Sequence, residues 1–266
     1  MSEEHKKYLR SIKIHKIVVL ISQIGILISA FILWELSAIF EWSDPFITSS
    51  PSRIALSLKD LYLSGDLWKH VGATLYETVL SFLLSTILGV AIGIALWWSK
   101  TLNEILEPYL IVLNSLPKIA LGPIIIIWVG AGRSAIITMA LLICVIITII
   151  SAYTGFVSVD KEKIELLRAM GASKLQILIK LIIPYNVPNI ISILKINVGL
   201  SWVGTIMGEY LVSKEGIGYL LVYGSQVFKL DLVMASTVIL CVLATLMYLI
   251  VALIEKKLSQ SRLSNT

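Results

Sequence analysis

Charge is what this chain has least of. Only 15% of its 266 residues are Asp, Glu, Lys or Arg, and 57% are hydrophobic, whereas a soluble globular domain is about a quarter charged. A water-soluble fold is therefore excluded, in keeping with a mean hydropathy of +0.90. Strands of alternating polarity are missing as well, which excludes a membrane β-barrel, whose strands alternate over about ten residues. Cysteine is scarce: Cys144 and Cys241 both lie inside apolar runs, where they read as small core residues and not as a disulfide framework. The three histidines, His5, His15 and His70, fall in polar stretches at no metal-ligand spacing and read as solvated. Asp160, Glu162 and Glu165 form no credible catalytic pair, and no Ser/His/Asp or Cys/His grouping is present. These absences argue against a membrane enzyme, and no cofactor is implied. The Gly-x4-Gly-Lys-Ser/Thr phosphate loop is also missing, so any work driven by ATP requires a second polypeptide to bind it.

What is there is a series of apolar stretches of about 20 residues, the length a helix needs to cross a bilayer core of about 30 Å. Six spans are expected, roughly 17–40, 75–98, 105–129, 135–157, 190–212 and 232–254, giving an all-α polytopic membrane protein. A basic start, residues 1–16, runs into the first span without the short apolar core of a cleavable signal. In the loop between the first two spans, Ser50-Pro51-Ser52 reads as a helix start. The helix it opens carries Ile54, Leu58 and Leu61 on one face and suits a membrane surface. Gly89 and Gly93 in the second span form a small-xxx-small pair that admits a neighbouring helix. The third span is interrupted at Leu116-Pro117-Lys118 and again at Gly122-Pro123. Proline removes a backbone donor, and helices broken at membrane depth often line a path.

Charge placement orients the chain. With a cytoplasmic start, fourteen of the 22 basic residues fall on inner segments and six on outer ones, with Lys118 and Lys195 in or at the edge of spans. The positive-inside rule then puts both termini, and the long polar stretch after the fourth span, in the cytoplasm. The net charge of +5 is thus a membrane signal and implies no nucleic acid. Candidate path residues are Pro117 and Lys118 at the break, Asn197 and Ser201 on one face of the fifth span, and Glu209 near its outer end. A lysine inside a span faces a bundle interior or a watery cavity by default. Asn197 and Ser201 serve equally as interhelical hydrogen-bond glue. For Glu209, as for Glu35, structural pairing is the more economical role.

The polar stretch spans 158–189, longer than a reversal of direction needs. From Asp160 to about Ile183 the pattern reads as helical, with Ile164, Leu167, Met170 and Leu175 on one apolar face interrupted at Gly171-Ala172-Ser173: a short helix, a turn at Gly171, then a second helix entering Pro184. Glu165-Leu166-Leu167-Arg168-Ala169-Met170-Gly171-Ala172, with Pro184 further on, resembles the "EAA" loop of ATP-binding-cassette importer permeases, with Leu166-Leu167 where two alanines usually stand. The segments from Leu116 to Gly130 and from Gly208 to Leu220 are similar to the nitrate/sulfonate/taurine branch of that family. The resemblance implies a transmembrane domain over 17–257, a tail over 258–266, and a coupling helix that docks on a cytoplasmic ATPase through Glu165, Leu166, Leu167, Arg168, Ala169, Gly171 and Ala172. It also implies an extracellular solute-binding protein, a permease homodimer in the plasma membrane of a prokaryote, and import of a small solute of the sulfonate, taurine, nitrate or thiamine-precursor type. A gradient-driven secondary transporter is the alternative; it is expected to show internal repeats and has no need of this loop.

Overall fold

A computed structural model of the chain describes the backbone of residues 3–263 and the side chains of residues 11–257. His5, the basic residues before Ser11 and the 258–266 tail therefore lie outside the described side chains. The described residues form helices and no strands. They are α1 (Glu3–Ile39), α2 (Pro45–Thr48), α3 (Pro51–Leu63), α4 (Asp66–Trp98), α5 (Lys100–Ser115), a 3-10 turn (Lys118–Leu121), α6 (Gly122–Val129), α7 (Arg133–Val157), α8 (Lys161–Ala169), α9 (Lys174–Ile177), α10 (Ile183–Val212), α11 (Ile217–Gln226) and α12 (Leu230–Leu263). Five uninterrupted helical stretches are long and apolar enough to span a membrane, and α5 with α6 makes a sixth if the bent pair is one span.

Contacts between the helices decide whether it is. Gly89 of α4 meets Thr148 of α7, and Gly93 meets Ala152; the paired numbers rise together, so α4 and α7 run parallel. Gly204 and Gly208 of α10 meet Ala140 and Ile136 of α7, with numbers running in opposite senses, so α10 is antiparallel to both. A chain that leaves the end of α4 and begins α7 in the same direction must return across the membrane once between them. Only α5 and α6 lie there, so the pair, bent by 91° at its break, is one broken crossing. Leu116 ends α5 in an extended conformation, as a residue before proline prefers, and Pro123 sits at the first turn of α6, where its missing N–H costs nothing.

The three-helix centre of α4, α7 and α10 is closed by small residues. A Cβ on Gly89 would stand 2.5 Å from the Thr148 side chain, and one on Gly204 2.5 Å from the Ala140 Cα. Lipid tails are as apolar as leucine, so such close backbone approach and interhelical hydrogen bonds hold these helices together. Asn197 provides the bonds, donating to Thr86 Oγ1 at 3.1 Å and to Thr148 Oγ1 at 2.8 Å, while Thr148 donates to its own Cys144 carbonyl. α12 packs antiparallel to α10 through Val198, Trp202 and Val251, and Lys195 pairs with Glu255. Cys144 is buried in the centre as expected, but Cys241 on α12 is exposed, on a helix that uses only one side for packing.

One end of the bundle gathers α3, α11 and the starts of α4, α7 and α12; the other gathers the α4–α5 turn, α8 and α9. Ile54, Leu58 and Leu61 share one side of α3 as the spacing predicts, and that side turns onto α4 and α12 of the protein itself; Arg53 pairs with Asp231 at 2.9 Å. Glu35 accepts from the Ser52 hydroxyl and backbone N–H. α4 begins at Asp66, nine residues before the expected start of the second span, since His70 and Thr74 have partners elsewhere in the fold.

Candidate functional site: the α8 platform and the interhelical seam

The helix α8 is defined at both ends by its own residues. Asp160 caps its start, accepting the Glu162 N–H at 3.0 Å, and Arg168 lies in the last turn, the sign that suits a helix C-terminus. Beyond Met170 the chain turns through Gly171 at φ +82°. Gly171 N–H then bonds the Arg168 carbonyl and Ala172 N–H the Leu167 carbonyl, each at 2.9 Å, the paired bonds of a Schellman stop. Ser173 opens the next helix with a capping box to Gln176. From Lys174 the chain is helical without interruption to Val212. A wider π turn at Leu178–Ile182 precedes Pro184, and the freed backbone groups before a proline are accommodated by such local adjustments. The second half of the polar stretch is thus the start of the fifth span.

One side of α8 belongs to the chain's own core. Ile164 and Leu167 pack, with Ala172, against a buried cluster of Phe156 at the end of α7, Val159 just beyond it, and Ile177, Leu178 and Ile182; Val90, Ile94 and Trp97 of α4 pack on the same cluster. Lys174 joins these elements a second time: its ammonium bonds the Trp98 carbonyl, the last of α4, and lies over both Trp97 and Trp98. The other side of α8 is open. Leu166 is 62% exposed and Met170 74%; four residues apart, they form one apolar patch beside exposed Glu162, Glu165 and Arg168. The expected apolar side is corrected in part. Ile164 and Leu167 are inward, but Met170 and Leu175 point out, because the Gly171 turn ends the helix before they can rotate onto the core. The two leucines in the alanine positions also separate: Leu167 faces inward and Leu166 outward.

The path residues divide. Pro117 is exposed and Lys118 half-buried at the 91° break, and Lys118 Nζ donates to the Asn114 carbonyl at 3.1 Å, satisfying an orphan acceptor at the end of α5. Asn197, Ser201 and Glu209 do not line an open face. They are at most 1% exposed, in the seam of α4, α7 and α10, because hydrogen-bonding groups in a membrane seek each other between helices.

Glu209 organises the end of the bundle opposite α8. It accepts from Thr74 Oγ1 at 2.6 Å and from Gly218 N–H. Thr74 accepts the Ile217 N–H at 2.8 Å, and His70 Nδ1 accepts the Gly216 N–H at 2.9 Å. The expectation that His70 is solvated is therefore overturned: it is buried and stacks on Tyr219. His15 is exposed as expected. Glu77, wholly buried beside Glu209 and 3.9 Å from Arg133, was missed by sequence reasoning. His70, Thr74 and Glu77 share one helical face, a signal available in the spacing but masked by placing the span's start at 75. No group of described residues is arranged to hold a metal ion.

Comparison with known proteins places this arrangement. The profile of the binding-protein-dependent transport system inner membrane component family matches residues 85–260. The chain belongs to this family. It is 30% identical over 240 residues to the putative aliphatic sulfonates transport permease protein SsuC of Bacillus subtilis, covering 90% of this chain and 87% of that one. It is 25% identical to the taurine transport system permease protein TauC of Escherichia coli, over 89% and 88% of the two chains. The formylaminopyrimidine transport permease protein ThiX of Halalkalibacterium halodurans is 30% identical, over 71% and 74%. Among solved structures, an inward-facing MetNI methionine ABC transporter aligns with a TM-score of 0.63 at 21% identity, over 73% of this chain and 95% of that one. A bacterial ABC transporter that imports alginate aligns at 0.64 and 15%, over 96% and 99%. At these identities the structures establish the fold alone, that of an ABC transporter permease. This permease is a transport protein of an inner-membrane system, with helices that cross the bilayer.

Proposed function

We propose that this permease is the membrane-spanning subunit of an ATP-driven importer, with α8 as the coupling helix seated in a groove of a separate cytoplasmic ATPase. The observation that carries this is the two-sidedness of α8. Ile164 and Leu167 anchor it to the end of α7, to α9 and to the π turn after it, while Leu166 and Met170 stand out on the other side. A displacement imposed on the outer side is passed to three core elements at once, since packed interiors move as bodies and do not deform continuously. Glu165 and Arg168 flank the patch and supply rim contacts, and Gly171 sets where the helix ends.

In this function α8 and both termini are cytoplasmic, consistent with the excess of basic residues on that side, and an extracellular binding protein delivers solute at the Glu209 end. Two copies pair about an axis along the membrane normal, with the break at Pro117 and Lys118 facing the space between them. The sulfonate, taurine and formylaminopyrimidine relatives support a small polar solute, and sulfonates foremost.

The test is reconstitution of the permease with its ATPase and binding protein in proteoliposomes. Taurine or ethanesulfonate uptake is expected to require ATP and to stop with vanadate. Leu166→Glu is expected to abolish uptake and solute-stimulated ATP hydrolysis without changing the amount of permease in the membrane. Uptake that follows an ion gradient and ignores vanadate would refute the proposal.

A further inference from the structure

A cavity of about 640 Å³ opens between α7 and the first turns of α10, at the α8 end of the bundle. We infer that this cavity is the solute's exit site, holding the oxygens of a sulfonate-class solute through neutral hydrogen-bond donors before release. The inference rests on the transporter function proposed above and adds to it a place and a chemistry for the cargo.

The walls are unusual for this end of the molecule. α8 and α9 carry Lys161, Lys163, Lys174 and the acidic residues between them, yet no charged side chain lines the cavity. Its polar lining is instead Ser151 and Thr154 on α7, Ser158 at the cap that follows it, and Tyr185, Asn186 and Asn189 on α10. Thr154 and Ser158 are exposed, whereas Asn186 is buried. The two carboxamides are held in place: Asn186 Nδ2 donates to the Ile182 carbonyl at 2.9 Å, and Asn189 Nδ2 reaches across to the Ser151 carbonyl at 3.1 Å. Gly155 makes their room, since a Cβ there would stand 2.0 Å from Asn189 Nδ2 and 2.6 Å from Asn186 Oδ1. Hydroxyl and carboxamide groups on a spanning helix mark a surface that meets water or protein and not lipid. Ser158 donates to the Gly155 carbonyl, which leaves the Ser151 and Thr154 hydroxyls and the second N–H of each carboxamide as donors; with no charged side chain in its lining, the pocket suits an oxyanion that must bind and then leave, because conduction needs sites weak enough to be vacated.

The cavity is also tied to the element that answers to ATP. Lys163 of α8 lies over the Tyr185 ring, 5.6 Å from its centroid, and Tyr185 is a wall of the cavity. A shift of α8 against α10 therefore moves a wall of the site, which links release of the solute to the ATPase cycle without a separate gate.

The test uses the assembled transporter in inverted membrane vesicles. Cys144→Ala and Cys241→Ser remove the native thiols, and Thr154→Cys introduces one reporter; Leu27→Cys on the exposed side of α1 is the lipid-facing control. An impermeant thiol reagent is expected to label the Thr154 position and not the control. Ethanesulfonate at about ten times its half-protecting concentration is expected to slow that labelling about tenfold, and Asn189→Leu to remove the protection while labelling in its absence stays the same. Failure to label, or labelling that millimolar ethanesulfonate and taurine do not slow, overturns the exit site. Vanadate-sensitive uptake, measured in the same vesicles, reports on the transporter function separately: protection with vanadate-insensitive uptake would refute that function and leave the site standing.

Discussion

Gly171 offers two explanations that one substitution series separates. Its smallness suits a surface that a partner helix approaches closely; its backbone conformation suits a helix stop. At φ +82°, with no atom within 4 Å of where a Cβ would stand, the residue is in open space within its own chain. Alanine therefore meets no clash in the permease and costs only the left-handed conformation, about 1–2 kcal/mol. If that strain falls on the docking-ready arrangement of α8, the ready population drops by a factor of about 5 to 30. Asparagine tolerates this region of backbone space better than alanine although it is much larger. Permease in nanodiscs, titrated with the purified ATPase, should thus bind in the order glycine, then Gly171→Asn, then Gly171→Ala, with the alanine variant weaker by about 5- to 30-fold. Solute-stimulated ATP hydrolysis should follow the same order. If asparagine is the worse of the two, the cost scales with side-chain size, close approach by the partner is the reason for the glycine, and the conformational account is wrong.

Three other outcomes follow from the same contacts. Leu166→Ala should leave thermal stability in detergent unchanged and lower ATPase affinity, whereas Leu167→Ala should lower stability by about 1–3 kcal/mol, as loss of a packed leucine does; equal effects would contradict their opposite orientations. Glu209→Ala deprives the Thr74 hydroxyl and the Gly218 N–H of their acceptor, a cost of about 1–3 kcal/mol for each buried group orphaned, and should loosen α11 before the rest, read as proteolysis near Gly216 at otherwise stable temperatures. Lys118→Met removes the ammonium from the end of α5; a small loss of stability, about 0.3–1 kcal/mol, with unchanged uptake kinetics would limit Lys118 to capping, and a raised KM for the solute would place it on the path.

Much of this fold is legible in the amino-acid sequence. The spans follow from lengths of apolar sequence, α3 from Ser50-Pro51 and its apolar spacing, and α8 from Asp160, its polarity and the glycine after it. The segment from Glu165 to Gly171 resembles the family loop closely enough to name the family, which the wider comparison bears out. Each of these depends on local chemistry: a cap, a missing N–H, a positive φ, a run long enough to cross the bilayer.

What the tertiary structure alone decided is which surface each residue meets. In water, polarity separates inside from outside; in a bilayer, lipid and neighbouring helix are equally apolar, so periodicity tells which residues share a face and not what that face touches. Hence Asn197, Ser201 and Glu209, which the sequence leaves open between a path and interhelical bonding, lie buried in the seam, and His70 reads as solvated and is buried against Gly216. For the same reason Leu166 and Leu167, adjacent and alike in sequence, point outward and to the core, and the broken third span counts as one crossing only because α4 and α7 run parallel.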